Sequence, residues 1–485
     1  MARLSLHELS EGMVLGEDVI LRDGTFLSKG LVLSQSSLER LSESSLSSFA
    51  VDRSEAIDKV CTPQAIKKLP HLEHRVYHEG EYLFLQGQES SEIFLLIAGA
   101  LEVVYTPDSA LMEELDSKKA MELVDAGGRR VAQMKRPMTV VGEMGPLLCQ
   151  RRSTSIKASI PTHVAIIPAT GEEFRNTLMN NPKLGLNIAV GLAQRMEESL
   201  DNINLFEVLS ATLQELLSRQ PAKFKEVVDQ ITEISESVKI VAFKVLAKDL
   251  QDFSLYRQAF RYSKSKKSSL SSEFTESQCF KTELDLFPEY YLKEFDSGEL
   301  LCQPGDDADY IYILHWGRLG VLEKEKILLH FKDQGDTLGT VKALSGYQQK
   351  PRRKDLRNRT VKALTGSRVL VLPVNSLEEI AKKYPAVIVH ICKSLAARLT
   401  ESNQEMTAAL STLDEGIQKA YGSTDSILIH VKIAISQCET VDPDSKILGV
   451  QIKALEKICA SIETLRSNYD ELLVSVHSHS TLEAG

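Results

Sequence analysis

Long apolar runs are missing from this 485-residue chain, and so is any paired cysteine motif. No stretch approaches the roughly 20 consecutive apolar residues that a bilayer-spanning helix needs, so no membrane insertion is expected. The seven cysteines (Cys61, Cys149, Cys279, Cys302, Cys392, Cys438 and Cys459) are odd in number, scattered and never spaced as Cys-x-x-Cys. That pattern supports neither a disulfide framework nor a zinc site. An excess of basic charge is also lacking. The formal net charge of -10 argues against a general nucleic-acid binder, which needs a basic face. No segment reads as a kinase glycine-rich loop with its lysine, a Walker sequence or a metal-ligand cluster. Hence no catalytic residue, metal or cofactor is expected, and the chain reads as a non-enzyme. The opening residues MARLSLHELSEGMVLGEDV place His7 and Glu8 where a secretory signal would be apolar, so the expected compartment is a reducing cytoplasm.

What is present is soluble and globular in composition: 43% hydrophobic and 26% charged residues exclude wholesale disorder. The length calls for roughly two to four domains. The most informative stretch is 140–158, with Gly142, Glu143, Gly145, Leu147, Leu148, Arg151 and Arg152 in close order. Gly145 allows a tight turn with close backbone approach to a ligand. Amides of a short helical turn there can converge on an anion, and Arg152 can grip a phosphate with a planar fork. Glu143 would repel a phosphate, but it suits a ligand that also offers hydroxyl donors. A phosphate and a hydroxylated sugar together make a nucleotide-like ligand.

In these residues the stretch resembles the phosphate-binding cassette of cyclic nucleotide-binding domains, Phe-Gly-Glu-Leu-Ala-Leu-Leu followed by Arg-x-Ala-Thr-Val-x-Ala. Gly142-Glu143-Met144-Gly145-Pro146-Leu147-Leu148 matches the first half, and Arg152-Ser153-Thr154-Ser155-Ile156-Lys157-Ala158 the second, at the spacing of protein kinase regulatory subunits. Val141 replaces the family's aromatic and Ser155 its threonine. The resemblance implies that Glu143 holds a ribose 2′-hydroxyl, and that Arg152 and the amides after Glu143 (Met144 and Gly145 among them) hold the cyclic phosphate. It also implies an eight-stranded jelly roll around the cassette. The alternating segments 79–87 and 92–99 resemble its opening strands. Leu192 to Ser199, LAQRMEES, is similar to the helix that follows the barrel in bacterial cAMP-receptor transcription factors. By that comparison Arg195 reaches Glu143 and Ser199 meets the base edge. Ser153 occurs at its position in bacterial cAMP receptors, and its hydroxyl can also reach a guanine amino group.

Taken in order, residues 1–54 read as a small, mainly β module with a helix near 34–41 started by Ser34. Leu9, Gly12, Met13, Asp18, Val19, Asp23, Gly24, Leu27, Lys29, Gly30, Leu33, Val51 and Asp52 together resemble the module ahead of bacterial HD-GYP phosphodiesterases. None of the eleven histidines is followed by Asp, and Gly-Tyr-Pro is absent, so a free-standing adaptor module is the better reading. Residues 70–205 are expected as the competent barrel, with a helical insertion within 106–128 and helices at 171–174 and 184–209. Residues 206–275 read as a helical connector ending in the Ser/Lys-rich linker 261–272. Phe224, Val227, Ile231, Ile234, Val238, Val241 and Val245 step 3, 4, 3, 4, 3, 4, a coiled-coil-like seam that needs a partner helix, internal or external.

A second copy begins near 294, where 295–305 and 310–317 repeat the logic of 79–87 and 92–99. Its cassette, Leu338-Gly339-Thr340-Val341-Lys342-Ala343-Leu344, has Thr340 where the carboxylate should stand. Arg357 matches the phosphate-binding arginine after a longer spacer that carries Lys350, Arg352, Arg353 and Lys354. This degenerate domain, 280–400, is expected to bind cyclic nucleotide weakly or not at all. Residues 401–485 are helical and acidic, six Lys/Arg against thirteen Asp/Glu, which opposes a DNA-reading winged helix. Leu455, Ile458, Ile462, Leu465, Tyr469, Leu472 and Val476 form a second stripe.

The expected fold class is therefore α+β: two jelly rolls separated and followed by helical segments, behind a small N-terminal module. The expected function is that of a non-enzymatic, bacterial-type cytoplasmic receptor for a cyclic mononucleotide, cAMP with cGMP behind it. Its output would pass to a protein partner, or a second subunit, through helices 224–245 and 455–476. The other readings are an interaction scaffold whose barrels bind no nucleotide, and a regulator linked to cGMP or cyclic dinucleotides.

Overall fold

The computed structural model describes residues 2–52 apart from 22, 24, 43, 45 and 47; residue 57; residues 72–106, 116–238, 241–252, 256–257, 291–323, 326–347 and 355–439; and residues 453, 456, 457 and 459–471. The linker 261–272 and the basic spacer residues Lys350 and Arg352 to Lys354 lie outside these residues, as do Leu455, Ile458, Leu472 and Val476. The chain divides into two compact units. One comprises Met1–Glu198, Glu276–Glu401 and Val476–Gly485; the other comprises Ser199–Thr275 and Ser402–Ser475.

In the first unit the N-terminal module comprises strands β1 (Ala2–Leu4), β2 (Val14–Leu15), β3 (Val19–Ile20) and β4 (Phe26–Leu27), helix α1 (Gln35–Ser42) and strand β5 (Phe49–Asp52). The order β1-β5-β2 and the β3-β4 hairpin enclose Leu15, Leu33, Leu41, Phe49 and Val51, all essentially buried. Ser34 starts the helix, its Oγ accepting from the Ser37 amide at 3.3 Å. The module docks onto the barrel that follows. It extends an edge of that barrel: the Val32 amide donates to His74 O at 2.8 Å and the Val76 amide to Gly30 O at 2.7 Å. His78 and Asp52 pair at 2.9 Å.

That barrel is built from β6 (Glu73–Tyr77), β7 (Tyr82–Phe84), β8 (Glu92–Ala98), β9 (Leu101–Tyr105), β10 (Arg129–Met134), β11 (Val140–Val141), β12 (Ser155–Ala158) and β13 (Thr162–Pro168). Two antiparallel sheets, β11-β8-β13-β6 and β10-β9-β12-β7, enclose a core of Phe84, Phe94, Leu96, Leu101, Val141, Ile156 and Val164. The insertion between β9 and β10 ends in the expected helix, α2 (Ser117–Gly127), capped by Asp116 and packed through Ala120 and Val124 on Leu85 and Val104. A one-turn helix, α3 (Met144–Leu148), connects β11 to β12.

Helix α4 (Gly171–Asn180) follows, longer than the expected 171–174, and then α5 (Pro182–Val238). Because α5 is a single 57-residue helix, the expected division between barrel and connector at residue 205 falls inside it. The stripe it buries is marked every seventh residue by Leu192, Ser199, Phe206, Leu213 and Gln220. The apolar seam also departs from expectation. Phe224 and Ile231 are buried, but Val245 is 54% exposed. Instead α6 (Val241–Gln251) folds back on α5: Gln251 Nε2 donates to Thr232 Oγ1 at 3.2 Å, and Tyr256 donates to Asp229 at 3.0 Å.

The strand order of the first barrel recurs in β14 (Leu292–Phe295), β15 (Leu300–Cys302), β16 (Tyr310–Trp316), β17 (Leu319–Glu323), β18 (Lys326–Phe331), β19 (Thr337–Leu338), β20 (Thr360–Ala363) and β21 (Ser367–Pro373). Its sheets are β14-β21-β16-β19 and β15-β20-β17-β18, strand for strand the same arrangement. Helix α7 (Thr340–Ser345) stands where α3 stands in the first barrel, and α8 (Leu377–Lys383) and α9 (Pro385–Glu439) close the series. The architecture is α+β.

Helices α5 and α9 are paired in register. In the first unit Gly185 leaves room for Ile388, whose Cγ2 lies 2.8 Å from where a Cβ would be. In the second unit the Ser199 and Ser402 hydroxyls meet at 2.8 Å with a separation of 203 residues, and Gly416 makes the same close fit to Leu213. The partners advance together at one offset, so the helices run parallel, as heptad pairs do. Of the C-terminal stripe, Ile462, Leu465 and Tyr469 are buried within this single chain.

Candidate functional site

The site grows out of the end of β11. Val140 and Val141 pair with Leu95 and Phe94 of β8, and Gly142 then turns the chain with φ of +82°. A side chain there would be strained by that φ, and its Cβ would lie 2.6 Å from Arg152 Nη1. Glu143 precedes α3, Met144 packs half-buried on the core, and Gly145 lies against Ser90. The helix ends at Cys149 with φ of 53°, where the Gln150 amide donates back to Gly145 O at 2.9 Å.

This turn delivers Arg152 to the β7–β8 connection: its amide donates to Gln88 O at 2.9 Å, and its carbonyl accepts from the Gly87 amide at 2.8 Å. The guanidinium, 5% exposed, donates through Nη1 to Gly142 O at 2.6 Å and through Nη2 to Glu92 O. It also stacks 4.0 Å above the Phe84 ring. Burial lowers its pKa to about 10, opposed by the charges of Glu92 and Glu143. Arg152 is therefore a cation at neutral pH, held under a backbone turn by carbonyls that leave its charge uncancelled.

Glu143 is fully buried. Its Oε1 accepts from Arg195 on α5, and its Oε2 has no partner among the described residues. A buried carboxylate oxygen without a donor is costly, and a ligand hydroxyl would satisfy it. The expected Glu143–Arg195 contact is present, joining the cassette to the helix behind the barrel. Burial pushes the thiol of Cys392 on α9 up, and the Glu143 charge adds to the shift.

Of the remaining expected residues, Ser153 is exposed beside Arg152. Ser199 is buried, and its hydroxyl is bonded to Ser402. Phe84, the ring beneath Arg152, was not anticipated, since a lone aromatic in a strand carries no spacing signal.

The second barrel repeats the scaffold with a different centre. Gly339 has φ of +75°, and Arg357 donates to Gly339 O at 3.0 Å and to Tyr310 O, as Arg152 does to Gly142 and Glu92. The ring beneath its guanidinium is Tyr312, at 5.6 Å. Thr340 stands in the place of Glu143, 1% exposed, its hydroxyl without a partner among the described residues. Arg398, the counterpart of Arg195, instead donates to Thr337 O and lies 5.4 Å from the Phe331 ring. No metal-binding cluster of His, Cys, Asp or Glu occurs among the described residues, and none of their helices is long and apolar enough to cross a membrane.

The model of the family "Cyclic nucleotide-binding domain" matches residues 292–384, which is the second barrel. No curated protein matches the chain. Among solved structures, the chain is similar to one titled "cAMP bound PfPKA-R (141-441)", at 12% identity over 74% of this chain and 84% of the other, with a TM-score of 0.24. It is also similar to the regulatory subunit of a cAMP-independent protein kinase A from Trypanosoma cruzi bound to guanosine, at 13% identity over 68% and 79%, TM-score 0.22. A third is the catabolite activator protein of Thermus thermophilus, at 21% identity over 35% and 68%, TM-score 0.24. Residues 292–384 of this chain are thus a cyclic nucleotide-binding domain.

Proposed function

We propose that the chain is a non-enzymatic receptor and signal transducer for a cyclic mononucleotide, and that the ligand binds in the first barrel. The observation that carries this reading is the pairing of a buried carboxylate with one unpartnered oxygen, Glu143, and a buried, still-charged Arg152 on the same backbone turn. A cyclic phosphate supplies the anion that Arg152 lacks, and a ribose hydroxyl supplies the donor that Glu143 Oε2 lacks. Met144 and Gly145 offer backbone amides beside the phosphate, and the exposed Ser153 is placed beside Arg152 to bias the choice of base. cAMP is the preferred ligand, with cGMP behind it.

The second barrel keeps the arginine and the glycine turn but offers Thr340 in place of a carboxylate, so it contributes little or no nucleotide affinity. Signal output follows from Arg195: a ligand that completes Glu143 favours the position of α5 in which the two are paired, and so shifts the population of that helix. The acidic C-terminal helices favour a protein partner over DNA. A cytoplasmic setting suits the ligand.

Equilibrium titration of the whole chain with cAMP and with cGMP tests the proposal. One nucleotide bound per chain, with the tighter constant for cAMP, is the expected result. No binding of either leaves the scaffold reading as the better account.

A further inference from the structure

Helix α7 of the second barrel occupies the position that α3 occupies in the first, yet it contacts α5 through the Lys342 side chain and the Ser345 backbone carbonyl. Lys342 stands where Gly145 stands, and Ser345 where Leu148 stands. Lys342 Nζ pairs with the carboxylate of Glu197 on α5, both side chains about one-third exposed or less. Gln194 Nε2, on the same helix, donates to Ser345 O at 3.1 Å. These two contacts bracket Arg195, the residue by which α5 reaches Glu143.

The arrangement has no reciprocal. At the in-register offset of 203 residues, Ala397 and Thr400 of α9 stand where Gln194 and Glu197 stand on α5. Neither carries a charge, and Gly145 has no side chain to offer them. The second barrel therefore grips the first barrel's helix through a charged pair that the equivalent positions of the first barrel and α9, Gly145 and Thr400, do not carry.

We infer that the second barrel is an intramolecular latch: Lys342 and Ser345 hold α5 at Glu197 and Gln194, so that Arg195 is positioned on Glu143 and the first site is preformed. Lys342 and Glu197 are positioning residues, since neither touches the ligand site. The regulatory part of the inference rests on the first barrel being the nucleotide site; the grip itself does not. Losing the pair lets α5 sample positions in which Arg195 leaves Glu143, and the population competent to bind falls. A partly exposed ion pair supports an effect of roughly three- to tenfold on affinity, and not more.

Two measurements on the full chain separate the parts. Amide exchange over residues 188–198, without nucleotide, should quicken in Lys342→Ala and return toward normal in the charge-swapped Lys342→Glu/Glu197→Lys chain. Unchanged exchange in Lys342→Ala overturns the latch. Titration with cAMP should show three- to tenfold weaker binding in Lys342→Ala and in Glu197→Ala, no further loss in the double alanine variant, and recovery in the swapped chain. Quickened exchange with unaltered affinity overturns the regulatory role. If the unaltered chain binds no cyclic nucleotide, the proposed function falls and the regulatory role with it, while the exchange result still decides the grip.

Discussion

The two barrels share a strand order, a left-handed glycine after the equivalent strand and an arginine donating to two backbone carbonyls, yet they differ at the buried position that follows the glycine. In the first, Glu143 draws Arg195 off α5 and keeps an oxygen in reserve; in the second, Thr340 can draw nothing, and Arg398 turns to the carbonyl of Thr337. The glycine turn and the buried arginine are common to both barrels, whereas the buried carboxylate is particular to the first. The segment that matches the cyclic nucleotide-binding family is the barrel without the carboxylate, so a family match on this chain reports the scaffold.

The largest expected effect tests the shared part. Gly142→Ala and Gly339→Ala each force a Cβ into a left-handed backbone and within 2.6 Å of an arginine nitrogen. Each should cost ~2–4 kcal/mol of stability, read by denaturant unfolding. Only Gly142→Ala should also abolish nucleotide binding; equal loss from Gly339→Ala would break the comparison.

Next is the part that differs. Glu143→Gln keeps the volume and removes the charge, and should weaken cyclic nucleotide binding by roughly ten- to a hundredfold, the worth of a charge-assisted hydrogen bond. Thr340→Val replaces a buried, unpartnered hydroxyl with a methyl. It should leave binding unchanged and alter stability by no more than about 1 kcal/mol, in the favourable direction. A loss of affinity in Thr340→Val would show that the second barrel takes part in binding.

The smallest effect is with pH. Arg152 has its pKa lowered to about 10 by burial, so its folded value lies below that of the unfolded chain. Holding it charged therefore costs stability at every pH below about 10, and the cost fades as pH rises through that value. An anionic ligand offsets it only while the arginine is protonated. Affinity should be flat from about pH 6 to 9 and fall above about pH 10; a fall near neutrality would assign the titration to another group.

Much of this was legible in the sequence, for identifiable reasons. The turn that carries Glu143 and is closed by Arg152 could be read because Gly142, Glu143 and Arg152 are chemically unlike and fixed in spacing. The duplication could be read because a strand followed by a glycine turn leaves a repeated pattern at 92–99 and 310–317. The extent of α5 could not. Two of its buried stripe positions, Ser199 and Gln220, are polar, which hides the heptad that continues the helix past residue 205. Ser199 was expected at the base edge by resemblance to the helix of bacterial cAMP receptors; its hydroxyl meets that of its counterpart Ser402. The seam at 224–245 was expected to need a partner helix, internal or external; it is divided between α5, which ends at Val238, and α6, where Val245 is exposed. The docking of the N-terminal module rests in part on backbone bonds from Gly30 and Val32, which any sequence could make and none announces, beside the His78–Asp52 pair.

The most direct test of the account is calorimetric titration of Arg152→Ala and Arg357→Ala beside the unaltered chain. The two arginines are matched in burial and in backbone partners, so each variant carries a similar structural penalty. The account predicts one cyclic nucleotide bound per chain, lost in Arg152→Ala and kept in Arg357→Ala. Binding that survives Arg152→Ala, or disappears with Arg357→Ala, would place the ligand in the second barrel and contradict it.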